Sequence, residues 1–212
     1  MPTPAIGLTR TAAPKDGVSS PGGSTEDRSV DRLPHHHIFE TACGFAAIGW
    51  RASSITAFRL PSRTAGAAET SLSRRFPASN PASPPDFVRA IADDARRYFD
   101  GDQVDFSAVE VDLGEQEPLF ERIYAFVRAL GYGETTTYGA VAKALGEEPQ
   151  VARTVGEAMS RNPVPLIVPC HRVTAAGGKI GGFSAPGGSH SKAHMLALEG
   201  VPRSDSQIGF GF

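Results

Sequence analysis

Apolar and polar positions change rhythm several times along the chain, and each change marks a predicted element. In HHHIFETACGFAAIGWRASSITAFRLP, residues 35–61, short runs of β-branched and aromatic residues break near Gly44 and at Ser53-Ser54. Such runs predict a small meander of strands. Residues 62–85, which include PASNPASPP, read as a long loop. In DFVRAIADDARRYF, Phe87, Ile91, Ala95 and Tyr98 fall on one helical face, with Asp86 as the N-cap. VDFSAVEVDL alternates and predicts one further strand. Residues 35–112 therefore read as an α+β N-terminal domain.

After Leu119 the period turns helical. LFERIYAFVRAL sets Leu119, Ile123, Phe126, Val127 and Leu130 on one stripe, which Gly131 ends. Thr136 or Thr137 can cap a short helix through Leu145, Gly146 can end it, and Pro149 suits the first turn of a second helix carrying Val151, Val155 and Met159. Two short helices across a glycine turn have the proportions of a helix-turn-helix, although a plain helical hairpin has the same pattern. Ala152, Gly156, Ala158 and Ser160 would let the second helix approach a partner closely, and Arg153 near its start could reach a phosphate or a base stack; the bland alternative is a solvated Arg153. Residues 113–203 form the second predicted domain, mainly helical.

Composition sharpens this division. Residues 1–34 are rich in Pro, Gly, Ser and Thr and poor in large apolar residues, so they predict a disordered tail; residues 204–212 are read as a C-terminal tail. A chain of 212 residues can bury a sizeable core without disulfides or metal. Its two cysteines, Cys43 and Cys170, form no CxxC pair, which predicts reduced thiols. No apolar run approaches the roughly 18 residues of a membrane span, and the N-terminus lacks a secretory pattern. The expectation is a soluble, unsecreted protein. Net charge is -2, yet residues 118–212 carry nine Lys and Arg against seven Asp and Glu. That excess hints at a polyanion but equally fits an ordinary solvated surface.

The chemistry concentrates in NPVPLIVPCHRV, residues 162–173. A cysteine is nucleophilic as thiolate and needs a base or positive potential nearby. On an extended backbone His171 would point away from Cys170, so contact requires a turn or a bridging water. Pro169 removes a backbone donor and favours a rigid, non-helical cradle, into which Leu166-Ile167-Val168 delivers the thiol. Glu199, at the end of a helix predicted from about Ser191, can orient the imidazole. The competing reading of Cys170 is a packed small residue, against which stand its polar neighbours His171 and Arg172. A metal site joining Cys170 and His171 to His35–His37 lacks zinc-type spacing, so no metal is expected. Cys43, in a strand-like apolar context, reads as merely packed.

YGETTTYGAVA, ARTVGEAM, RNPVPLIVPCHRV, GGFSAPGG and ALEG stand in one order and spacing between about Glu117 and Val201. In this the chain resembles the O6-alkylguanine-DNA alkyltransferase family. The resemblance implies a small ribonuclease-H-like lead domain before the helix-turn-helix domain. It implies a direct-reversal DNA repair reaction, a single irreversible transfer of an alkyl group from O6 of guanine to Cys170, and leaves open whether O4 of thymine is a further donor. His171 matches the histidine that takes the thiol proton through a water, and Glu199 the glutamate that orients it. Asn162 matches the brace of the cysteine turn. Tyr138 matches the tyrosine that assists the leaving guanine and turns the target phosphate, and Arg153 the finger that fills the flipped base's gap. The main chain at Cys170 and Val173 would accept from the guanine amino group, the segment around Ser184 would donate to O6, and Phe183 and Arg172 would also contact base or DNA. No cofactor is implied. The partner is duplex DNA carrying O6-alkylguanine, not a membrane, and the protein would act as a cytoplasmic monomer, or in the nucleus of a eukaryote.

Two departures from the family pattern are visible: Tyr124 stands where tryptophan is usual, and Phe183 where some members have tyrosine. Two other functions compete. A lesion-binding protein of this fold usually replaces the acceptor cysteine. A cysteine hydrolase built on Cys170, His171 and Glu199 would need an oxyanion hole, and leaves the paired helices unexplained.

Overall fold

The computed structural model describes residues 34–202. Both expected tails, 204–212 and all of 1–34 but Pro34, lie outside the described residues. Strands β1 (His35–Thr41), β2 (Gly44–Arg51) and β3 (Ser54–Ser62) form the expected meander. Its first reversal falls at Gly44, whose φ of 113° favours glycine and where a Cβ would meet the Ser62 carbonyl oxygen.

Residues 62–85 are not one long loop. Thr64 caps helix α1 (Ala65–Ser73), its side chain accepting from the Ala67 amide, and two-residue β4 (Asn80–Pro81) pairs parallel with β1. The sheet order is β3-β2-β1-β4. One face of the sheet needs α1: Ala47 and Ala57 bury against Leu72, with Ile38 and Phe76 beside them. The opposite face, including Ile48, Phe58 and Leu60, joins the main core with α2 (Asp86–Phe99). In α2, Pro85 rather than Asp86 is the N-cap, and the deepest stripe is Val88, Ala92, Ala95 and Tyr98, turned from the expected one.

The strand expected within residues 104–113 is also absent. That segment makes a single bridge, with the Ile55 amide donating to Glu110 O and the Asp112 amide to Ile55 O, while Val104 and Phe106 bury their side chains.

Helices α3 (Pro118–Arg128), α4 (Tyr138–Ala144), α5 (Ala152–Arg161) and α6 (Ser189–Leu198) make up most of the second half. The expected Thr137 cap is present, donated to by the Ala140 amide, and a short 3-10 turn, Pro149–Val151, leads into α5. Tyr124 is buried and donates its hydroxyl to Ala158 O at 2.9 Å, tying α3 to α5. Strands β5 (Thr136–Thr137) and β6 (Val173–Thr174) make a short parallel pair. The main core runs through both halves, and the Phe58 amide of β3 donates to Pro163 O at 2.9 Å. Among the described residues no helix is long and apolar enough to cross a membrane.

Candidate active site around Cys170

The segment after α5 is held by one side chain. Asn162 donates from Nδ2 to Val168 O at 2.8 Å and accepts the Val164 amide on Oδ1 at 3.0 Å. The loop it closes passes through Leu166 at a φ of 82°, a conformation that costs a non-glycine residue energy and needs such a brace. Pro169 then leads into a single 3-10 turn, Cys170–Arg172, and not the non-helical cradle its ring favours.

Cys170 is 4% exposed and His171 0%. His171 Nε2 lies 2.8 Å from Glu199 Oε1, so Nε2 donates to the carboxylate and Nδ1 keeps its lone pair. That Nδ1 is buried without a hydrogen-bond partner among the described residues.

Glu199, at the C-cap of α6, collects donors from three further residues. Arg172 donates from Nε and Nη2 at 2.9 Å each, Tyr98 from its hydroxyl at 2.9 Å and the Gly133 amide at 3.0 Å. Burial opposes its ionisation, but the hydrogen bonds from His171 and Arg172 outweigh that and hold the carboxyl down to about 2. Burial lowers His171, against the upward pull of Glu199, so the imidazole is neutral at pH 7. Burial also pushes the Cys170 thiol up, against smaller downward pulls from Asn162 and Lys192.

Arg172 does not fit its expected contact with DNA. Its guanidinium is spent on Glu199 and on Leu130 O at 2.6 Å, and the residue is buried. Of the remaining expected residues, Tyr138, Val173 and Phe183 gather around Lys192 Nζ, Phe183 and Ser184 line a cavity with Cys170, and Arg153 stands apart. Arg153 is exposed on α5, with no ion pair or hydrogen bond among the described residues. Tyr138 is half-buried at the start of α4, and burial raises its phenol. Val173 O accepts from Lys192 Nζ at 2.6 Å. Phe183 and Ser184 line a cavity of about 330 Å³ together with Cys170 and Asn162.

Two site residues escape a reading of the sequence. Tyr98 sits on the amphipathic face of α2 and there looks like core packing; its hydroxyl instead reaches Glu199 and lies 3.3 Å from His171 Nε2. Lys192, on α6, is fully buried, with Nζ 3.3 Å from the Tyr138 hydroxyl and over the Tyr138 and Phe183 rings. Burial lowers it to about 8, against the pull of Cys170. Only its neighbourhood in the motif-bearing half hinted at a role.

A buried thiol, a neutral histidine oriented by a fixed carboxylate, and a cavity reaching the sulfur make a nucleophile site. The profile described as "6-O-methylguanine DNA methyltransferase, DNA binding domain" matches residues 118–201. A methylated-DNA-protein-cysteine methyltransferase from Methanothermobacter thermautotrophicus is 38% identical over 123 residues, 58% of this chain and 67% of that protein. The solved O6-methylguanine methyltransferase of Mycobacterium tuberculosis is 31% identical with a TM-score of 0.63, covering 83% of this chain and 98% of that one. The OGT of the same organism, solved in complex with DNA, has the same score and identity over 81% and 97% of the two chains. The chain belongs to the methylated-DNA-protein-cysteine methyltransferase family.

Proposed function

We propose that the protein repairs duplex DNA by moving an alkyl group from O6 of guanine onto Cys170, once per molecule. The observation that carries this reading is the Cys170 thiol, buried at a cavity wall beside a histidine whose Nδ1 is free and whose Nε2 is engaged by Glu199. In the reaction the thiol proton passes through a water to His171 while sulfur forms its bond to the alkyl carbon. The carbon–O6 bond breaks with its electron pair going to guanine, which takes up a proton. The sum is an S-alkyl cysteine and guanine, with no cofactor consumed.

Burial of Cys170 disfavours a standing thiolate, so deprotonation is coupled to substrate arrival. Glu199, its charge fixed by Arg172, stabilises the imidazolium that forms. Lys192 favours both the thiolate and negative charge on the leaving guanine, and the Tyr138 hydroxyl beside it supports the same charge at N3. The Val173 carbonyl, with one lone pair left beside Lys192, and the Cys170 carbonyl accept the guanine amino group. The segment around Ser184 donates to O6.

A base inside a duplex cannot reach a fixed, buried sulfur, so the nucleotide must leave the stack, at a cost of a few kcal/mol. We assign α4 and α5 as the helix-turn-helix that enters the minor groove. Arg153, exposed near the start of α5 with no side-chain partner among the described residues, fills the gap. Residues 35–112 then serve as a ribonuclease-H-like lead domain and residues 113–203 as the acceptor domain, acting as a monomer.

The test is incubation with a duplex bearing one O6-methylguanine, followed by intact mass and a peptide map, with Cys170→Ala in parallel. One added methyl on the Cys170 peptide, and no turnover beyond one equivalent, is expected. Tight lesion binding without a mass change would replace the reading with that of a lesion-recognition protein.

A further inference from the structure

The cavity that Cys170 lines is lined also by Arg59, Arg74 and Arg75, and among the described residues no Asp or Glu lines it. Arg59 belongs to β3, the sheet's edge strand next to the Pro163 contact. It is 9% exposed, and its Nε and Nη2 are buried without a hydrogen-bond partner among the described residues. Its guanidinium rests on the Phe76 ring, 5.4 Å from the centroid, and its charged neighbour is another cation, Arg75. Burial and then Arg75 lower it to about 10, so it remains charged at pH 7. A buried guanidinium without a counter-charge is costly to the fold, and its planar fork fits an oxyanion. Arg161, close by, is already paired with Glu157 at 2.7 Å.

Resting on the reading above, we propose that Arg59, aided by Arg74 and Arg75, forms an anion subsite in the acceptor's own cavity that selects O6-alkyl groups ending in a carboxylate. Displacement at carbon puts sulfur, carbon and O6 in line, so any substituent on that carbon projects sideways from this axis. The one cavity that Cys170 shares with these arginines is the room available to such a substituent. A carboxymethyl group reacts with the same balance as methyl: the sulfur–carbon bond forms, the carbon–O6 bond breaks with its pair leaving on guanine, and the carboxylate is unchanged. A DNA phosphate offers the same oxyanion chemistry. It can reach the exposed Arg74 and Arg75, but a duplex backbone cannot follow the cavity to a side chain as buried as Arg59.

The experiment compares single-turnover rates on three duplexes of one sequence, carrying O6-methylguanine, O6-carboxymethylguanine or its neutral carbamoylmethyl isostere. The wild-type chain should transfer the acid about tenfold faster than the amide, the effect of one charge-assisted pair. Arg59→Met should bring that ratio to about one while methyl transfer changes less than about twofold, and Arg75→Gln should lower the ratio partway. An acid-to-amide ratio near one in the wild type, or one that survives Arg59→Met, overturns the subsite. Equal slowing of all three duplexes by Arg59→Met, with a flatter salt dependence of binding, overturns it in favour of a DNA phosphate. Should Arg59→Met fail to fold, the Arg74→Gln/Arg75→Gln double variant decides: a fallen ratio supports the subsite and an unchanged one overturns it. Loss of methyl transfer in the wild type would instead sink the repair reading itself.

Discussion

The molecule's two cysteines both have a histidine at hand, yet their surroundings differ in every other respect. Cys43 is exposed in the turn between β1 and β2, with its sulfur 3.3 Å from Nε2 of His194, itself exposed on α6. No carboxylate holds that imidazole among the described residues, and burial followed by the nearby Asp100 raises the thiol further. Cys170 lies in a buried turn whose histidine is locked by Glu199, which is itself locked by Arg172, Tyr98 and Gly133. A direct sulfur–imidazole contact is therefore not what marks Cys170, since among the described residues it is Cys43 that makes one. The difference lies in the fixed negative charge behind the imidazole and the cations around the sulfur.

The comparison breaks most visibly if the thiols are exchanged in importance. Cys170→Ser should abolish transfer to protein, and Cys43→Ser should leave it unchanged, as read by labelled-methyl incorporation. Removing the charge behind the imidazole comes next. Glu199→Gln leaves Arg172 buried without its partner, costing about 3–5 kcal/mol of stability, and should slow transfer by about 10²–10⁴. Urea unfolding and single-turnover kinetics measure the two effects.

Acid tests the same charge without mutation. Burial holds His171 below its ordinary 6.5, so below that pH the unfolded chain takes up a proton that the folded one refuses, and stability falls. Glu199 is ionised when folded down to about 2, against an ordinary 4.5, so its contribution is present above 4.5 and is lost as pH falls toward 2. Both losses have the same sign. Urea midpoints should fall from pH 6.5 downward and steepen below 4.5, and Glu199→Gln should remove the lower part. The smallest effect is expected from Tyr98→Phe, which deletes one of several donors to Glu199, about 1.5–3 kcal/mol. Its signature beyond stability is a changed pH profile of transfer, because the hydroxyl also touches His171 Nε2.

Much of this arrangement was legible from local signals. The breaks at Gly44 and Ser53-Ser54, the Thr137 cap and the motif around Cys170 each act within a few residues. What failed to show depends on distance. Helix α1 has little periodicity of its own and exists because Leu72 and Ala68 cover the second face of the sheet. The alternation in residues 104–113 promised a strand, but the chain there touches Ile55 only once, and burial of Val104 and Phe106 satisfied the pattern without a ladder. Arg172 stood beside two reactive residues and invited a role toward DNA, while its carboxylate partner lay 27 positions away. Tyr98 and Arg59 carry no local mark at all, since each gains its meaning from a segment folded against it from the other half of the chain.

The outer rim of β3 illustrates how much one edge can do. Its backbone is engaged near its start by residues 110 and 112 and at its middle by Pro163, while the opposite rim of the sheet ends in a two-residue strand containing Pro81. Open strand edges are templates for pairing with foreign chains. By docking the Cys170-bearing segment along this rim, the fold blocks intermolecular β-association with the same contact that helps hold that segment, so a fragment lacking the second half would be prone to aggregate.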